Sequence, residues 1–389
     1  MTIHSGSNVI EKIEKLRVEA RAREAALLSV LAETRAAETE AVDPVHGAYV
    51  PLERIQPLLS DETTILQIYF AGDRVFAAIL KSQSLEIVPV STVARISETL
   101  QLLRFQLRRA QFESESAQST SANLYSSVVA HLRELHRELI APIRSQLTAR
   151  HIVVVPHGSL HCLSFHALHD GDKFLIDSHA TSYAPSASVY ALCHSRNEIR
   201  DGGSLVLGVP DAQAPLIAGE AEAVHRSLPN SELFLGEAAS RQLFFHKAPS
   251  SRVIHVATHG SFRQDNPMFS GIRLADGYLH LWEVYQMKLS AELLALSGCA
   301  TGLNLVGSGD ELLGLIRGAL SAGARSLLLT LWDVNDRSTT RFITSFYQHL
   351  RDSSSKAEAM VEAAKDVRSE FPHPYFWAPF ILVGKVLSG

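Results

Sequence analysis

Cysteine is scarce in this chain: Cys162, Cys193 and Cys299 are the three, odd in number and irregular in spacing. That argues against a disulfide framework and suits a reducing compartment, so a cytoplasmic protein is expected. No apolar run approaches the roughly 18 residues of a membrane span. The opening "MTIHSGSNVIEKIEKLRVEARAREAALLSVL" is charged and helical in pattern, with no apolar signal-peptide core. Positive charge is not in excess either. The net charge of −5 points away from nucleic acid and membrane surfaces as partners. What is present is the balance of an ordinary globular protein, 46% hydrophobic and 20% charged, over 389 residues. That length allows two or three domain-sized units with a sizeable core.

Three segments are expected. Residues 1–48 hold one long helix over 8–40, rich in Ala, Glu and Arg, whose partial apolar stripe includes Ile10, Ile13, Leu16, Leu27, Leu28 and Leu31. No 34-residue period recurs, so a helical-repeat array is not read from these residues. Residues 49–200 hold a meander, "TILQIYFAGDRVFAAILKSQSLEIVPV", broken at "AGD" and "KSQS". Helix follows over 91–147, interrupted by the loop-like "ESESAQSTSAN". From His151 onward, short apolar runs read as buried parallel strands: "HIVVVP", "SLVLGVP", "VIHVA", "LLALSG", "SLLLTLW" and "FILVG". Helical patterns alternate with them, which predicts a doubly wound α/β domain over residues 201–389. In such sheets chemistry sits just beyond the carboxyl ends of the strands.

Two strand ends carry reactive residues. "VIHVATHG" delivers His259 and Gly260, and "LLALSGCATG" delivers Cys299. The intervening chain reads as a hairpin and a short helix, enough to return to a neighbouring parallel strand. An imidazole beside a thiol favours the nucleophilic thiolate. The backbone N–H groups of Gly260 and Cys299 would then bind the oxyanion of an acyl-transfer intermediate. A cysteine at a strand end is more often a small buried hydrophobe. Its pairing with a strand-end His–Gly is what favours the chemical reading.

The blocks "HVATHGSF", "DNPMFSGIRLADG", "LALSGCATG", "GLIRGALSAGARSLLLTLWDVND" and "HPYFWAPFILVGK", in that order, resemble the CHAT domain family. Upstream, "IAPIRSQLTARHIVVVPHGSLHCLSFHALHDG" and "SYAPSASVYAL" resemble the blocks that precede its catalytic part. These are caspase-related cysteine peptidases of clan CD, often associated with tetratricopeptide repeats. The resemblance implies a caspase-like three-layer αβα sandwich with a mostly parallel sheet, with His259 as general base and Cys299 as nucleophile. It also implies one protein substrate in a regulated signalling or bacterial defence system. Family members often carry Glu directly after the cysteine, where this chain has Ala300.

Other candidates are weaker. His157, His161, Cys162, His166 and His169 crowd one stretch, but their spacing matches no common zinc motif, so packing or surface roles and no metal are expected. "VGSGDELLGL" lacks the Gly-Lys-Ser/Thr ending of a P-loop, so no nucleotide or other cofactor is expected. Asp310 and Glu311 there suit a helix start. "LWDVND" places Trp332, Asp333 and Asp336 beyond another strand, as substrate-groove residues. For Asp336, capping of the following helix is the open alternative. The leading expectation is a cysteine endopeptidase, with a regulatory protein partner docking on the N-terminal helical region. A catalytically silent interaction module and a different thiol-dependent acyl-transfer hydrolase remain the alternatives.

Overall fold

The computed structural model describes residues 15–16, 18–27, 29–30, 49–117, 121–196, 202–212, 214–261, 263, 266–297, 310–333, 335–352 and 355–387. The chain divides into two compact units, Met1–Ala48 and Tyr49–Gly389. In the first, residues 18–27 are helical. None of the helices described is long and apolar enough to cross a membrane.

Among its described residues the second unit has fourteen strands. In chain order they are β1 Thr63–Ala71, β2 Arg74–Leu80, β3 Leu85–Thr92, β4 His151–Val155, β5 Ala180–Tyr183, β6 Ser204–Gly208 and β7 Ser231–Leu235. Next come β8 Val253–Ala257, β9 Gly260–Ser261, β10 Gly271–Leu274, β11 Gly277–His280, β12 Leu293–Ser297, β13 Ser326–Thr330 and β14 Phe380–Gly384. Eleven of them form one sheet in the order β3-β2-β1-β4-β5-β14-β13-β12-β8-β6-β7, while β9, β10 and β11 form a small separate sheet. The expected meander is β1–β2–β3, paired antiparallel. All six apolar runs read as parallel strands lie in the large sheet, but β14 runs antiparallel to β13 and parallel to β5.

The β13–β14 contact divides the parallel-paired strands of the sheet into two sets of opposite polarity. β6, β7, β8, β12 and β13 run one way. β1, β4, β5 and β14 run the other. The carboxyl ends of β8 and β12 therefore emerge at the end of the sheet where β4 and β5 begin. His157, two residues past β4, leaves from the opposite end.

Every residue of β4, β6, β8, β12, β13 and β14 is buried. Strands buried on both faces need cover on both, which makes the sheet the middle layer of an αβα sandwich. On one face, helices Ile217–Ser227 and Asp336–Asp352 pack against each other and over β8. On the other, Leu315 and Ala319 of helix Asp310–Ala322 line the same apolar space as Leu294 and Leu296 of β12. Full burial of each such leucine is worth about 1.5–3 kcal/mol. The helical stretch expected over 91–147 is two helices, Val93–Ala117 and Ala122–Leu139. The first runs into the Ser-rich segment expected to be loop.

Helix Asp310–Ala322 stops at Gly323, whose φ is +120°. Ala324 N–H bonds Ala319 C=O (3.1 Å) and Gly323 N–H bonds Leu320 C=O (3.2 Å), the paired bonds of a Schellman cap. A Cβ here would also collide with the Leu289 carbonyl. Gly323→Ala should therefore cost about 2–4 kcal/mol. A chemical denaturation midpoint unchanged from wild type would contradict this.

Candidate active site

β8 and β12 are parallel neighbours, with Ser297 opposite Ala257. The pairing continues one residue further: Thr258 N–H donates to Ser297 C=O at 3.1 Å. The two strands thus end level, two residues before positions 259 and 299. Cys299 itself, with Gly298, Ala300 and the stretch through residue 309, lies outside the described residues.

His259 is held by the small sheet. Its carbonyl accepts from Arg273 N–H at 2.9 Å, and Thr258 Oγ1 donates to Arg273 C=O at 2.8 Å. Gly260 then pairs with Ile272 in the next register position. Because bonded and non-bonded positions alternate in an antiparallel pair, Gly260 N–H turns away from β10. The His259 side chain is about one-third exposed, with Nε2 3.4 Å from Asp211 Oδ1. That contact lacks hydrogen-bond geometry.

Asp211 lies just past β6 and is itself fixed. Its Oδ1 accepts from Ala214 N–H at 3.0 Å, and Arg273 lies 2.9 Å from its Oδ2. Arg273 also donates to Val209 C=O at 3.2 Å.

Asp336 joins this group from the carboxyl side of β13. It does not cap its own helix. That cap is Asn335, whose side-chain oxygen accepts from Arg337 N–H (3.1 Å) and Ser338 N–H (3.3 Å). Asp336 Oδ2 instead accepts from Leu216 N–H at 3.0 Å, at the start of helix Ile217–Ser227. Burial raises its carboxyl above the ordinary carboxylate range, and the negative charges of Glu220 and Asp211 add to the effect. The Leu216 hydrogen bond and His259 oppose it. Asp211, His259, Arg273 and Asp336, from four separate parts of the sequence, therefore share one corner.

Trp332 is placed differently from an open groove wall. It is buried, and its indole N–H donates to Tyr375 C=O at 3.1 Å. It packs toward Leu103, Leu107 and Leu132 beneath the two long helices. Asp333 is half-buried beside it.

The histidine-rich stretch is spread among separate contacts. His157 Nδ1 accepts from Phe70 N–H at 3.3 Å, and its ring lies edge-on to Phe70. His169 Nδ1 accepts from Gly171 N–H at 3.0 Å. His166 is buried, 3.4 Å from the Tyr183 hydroxyl, and burial lowers its pKa to about 3.

Two groups escaped the sequence reading. Asp211, in "GVPDAQ", stands just past a strand, the same signal that singled out His259. The second lies inside the fold, where Glu220, His255, Ser297 and Tyr347 touch one another. A lone His in the apolar "VIHVA" and an acid among Ile217, Ala221 and Val224 were its sequence marks.

The profile of the CHAT domain matches residues 129–385. Tetratricopeptide repeat protein 28 of Homo sapiens is 32% identical over 152 residues, covering 38% of this chain and 6% of that protein. The Mus musculus protein of the same name is 25% identical over 321 residues, covering 65% of this chain and 13% of its own length. The chain thus spans a small part of these curated relatives. In structure, it resembles separase in the Saccharomyces cerevisiae separase–securin complex, with a TM-score of 0.61 at 13% identity over 87% of this chain and 30% of that one. A second crystal structure of that complex gives 0.61 at 12% identity, over 86% of this chain and 31% of that one. The Arg-specific cysteine proteinase gingipain R aligns at 0.42 with 7% identity over 75% of each chain. The fold is caspase-like, and with the profile covering well over half its length the chain belongs to the CHAT domain family.

Proposed function

We propose that this protein is a cysteine endopeptidase that cuts a partner protein with Cys299 as nucleophile and His259 as general base. The observation that supports the reading is the level ending of parallel neighbours β8 and β12, whose last residues, Ala257 and Ser297, each stand two positions in sequence before one member of the pair. Cys299 Sγ adds to the scissile carbonyl carbon, and the resulting oxyanion is bound by the N–H groups of Gly260 and Cys299. The C–N bond breaks as His259 delivers a proton to the departing amine. Water, deprotonated by His259, then splits the thioester and restores the thiol. Residues 1–48 are the docking region for a regulatory protein.

The alternatives are separated by labelling with thiol-reactive electrophiles. Selective reaction of Cys299 with peptidyl but not small acyl probes supports the peptidase. Reaction with small acyl probes alone supports another acyl-transfer hydrolase. Cys299 labelling no faster than Cys162 would make the chain an interaction module.

Asp211, 3.4 Å from His259, and Asp336, whose carboxyl feels the charge of both, favour Lys or Arg immediately before the scissile bond, Arg most strongly because its guanidinium binds a carboxylate bidentately. Truncating one partner of a desolvated charge pair costs about 2–5 kcal/mol. Asp336→Asn should therefore depress cleavage after a basic residue at least ~30-fold and cleavage after a neutral one far less. Asp333→Asn, tested in parallel, should give a smaller effect of the same sign. A peptide library varied at that position is the measurement. A wild-type preference for Leu or Met, unmoved by either substitution, would assign these acids to structure.

A further inference from the structure

We infer that Glu220 is a positioning residue that holds the ends of β8 and β12 at one separation, on which the proposed His259–Cys299 pair depends. The inference rests on the peptidase reading of that pair. Glu220, His255, Ser297 and Tyr347 are all buried, at 1% exposure or less. Each comes from a different element: helix Ile217–Ser227, β8, β12 and helix Asp336–Asp352. Ser297 donates its hydroxyl to Glu220 Oε1, and His255 Nε2 lies 3.2 Å from the same oxygen. Ser297 Oγ is 3.4 Å from His255 Nε2, and the Tyr347 hydroxyl is 3.3 Å from His255 Nδ1. One carboxylate oxygen thus bridges the two strands, four residues before His259 on one and two before Cys299 on the other.

The cluster resembles a Ser-His-Glu triad in composition only. In a working triad the acid and the nucleophile use opposite ring nitrogens. Here both Glu220 and Ser297 face Nε2, and the side chains have no path to solvent. A structural core would not need it. Burying a carboxylate costs several kcal/mol even when paired, and apolar residues of similar volume often pack as well or better. Directional bonds confer something apolar contacts do not, a single defined geometry between the elements they join. The same device reaches the substrate side. The helix carrying Glu220 begins at Leu216, whose N–H is held by Asp336, and Tyr347 lies on the helix that starts with Asp336.

The test compares Glu220→Gln, Ser297→Ala and Tyr347→Phe in the full chain by two readouts. The first is amide deuterium exchange over residues 253–261, which needs no active thiol. The second is the rate of Cys299 alkylation by iodoacetamide as a function of pH. Glu220→Gln should speed exchange in that segment at least ~10-fold while β1 and β2 stay at wild-type rates. Alkylation at neutral pH should fall at least ~10-fold. The midpoint of its pH profile should climb toward the value of about 8.5 for a free thiol, a change that fold support alone would not produce. Tyr347→Phe should give a milder change of the same sign. If Glu220→Gln fails to fold, the other two variants carry both measurements. Exchange and pH midpoint unchanged in folded variants would overturn the inference with the peptidase reading intact. A wild-type Cys299 no more reactive than Cys162, and indifferent to His259→Ala, would overturn the peptidase reading. Faster exchange alongside that result would reduce the network to fold support.

Discussion

Cys299→Ala should abolish cleavage of any protein or peptide that the wild-type chain cuts, lowering turnover by at least ~10⁴-fold while shifting the melting temperature by no more than about 2 °C. The substitution removes one sulfur at a position just past a strand end, and without it no covalent acyl intermediate forms. On the proposed mechanism His259→Ala should be nearly as damaging, because the thiol would lose both its proton acceptor and the donor for the departing amine. The double variant should be little worse than either single one, since groups acting as one unit lose function non-additively. Losses that multiply would separate the two residues. Residual cleavage near wild type in Cys299→Ala would sink the nucleophile assignment, and loss of folded protein would return Cys299 to a packing role. His161→Ala and His166→Ala should leave any turnover of the folded protein intact, because the proposed mechanism gives neither any chemistry.

Acid should destabilise the second unit steeply, in a window well above the carboxylate range. Burial lowers His151, His194 and His373 to about 4 and His166 to about 3. In the unfolded chain these imidazoles titrate near 6.5. Between the two values the unfolded state binds protons that the folded state refuses, so stability falls as pH falls. The contribution is fully present above about 6.5 and is lost as pH drops through about 4. At pH 5 each such histidine costs about 2 kcal/mol, and four together approach the whole stability of an ordinary domain. Denaturation midpoints taken from pH 7.5 to 5 should fall continuously. His166→Phe should reduce the slope by about one proton, whatever it does to stability at pH 7.5. A flat profile above pH 5 would show that these rings accept protons in the folded state.

Local pattern was enough for a large part of the structure. Six five-residue runs in the large sheet are apolar at nearly every position, as strands covered on both faces must be, and each could be read without its neighbours. The strand-end rule likewise singled out His259 and Cys299 as candidates, because it depends on nothing beyond a strand and the few residues after it. Tertiary structure alone decided the rest. An apolar strand such as "FILVG" reads the same in either direction, so only pairing reveals that β14 reverses the polarity of half the sheet and joins residues 49–200 to 201–389 in one layer. Asp336 could cap its own helix or reach elsewhere. The neighbouring Asn335 and the distant Leu216 N–H settle that competition, and only one of them is near in sequence. Asp211 and Arg273 meet His259 across long sequence separations. The pair Glu220 and Ser297 stands 77 positions apart. Periodicity reports which face of an element is apolar; it carries no information on which buried polar groups will find each other. That depends on how the helices settle onto the strands, and hydrogen bonds respond to such placement at the scale of a few tenths of an ångström.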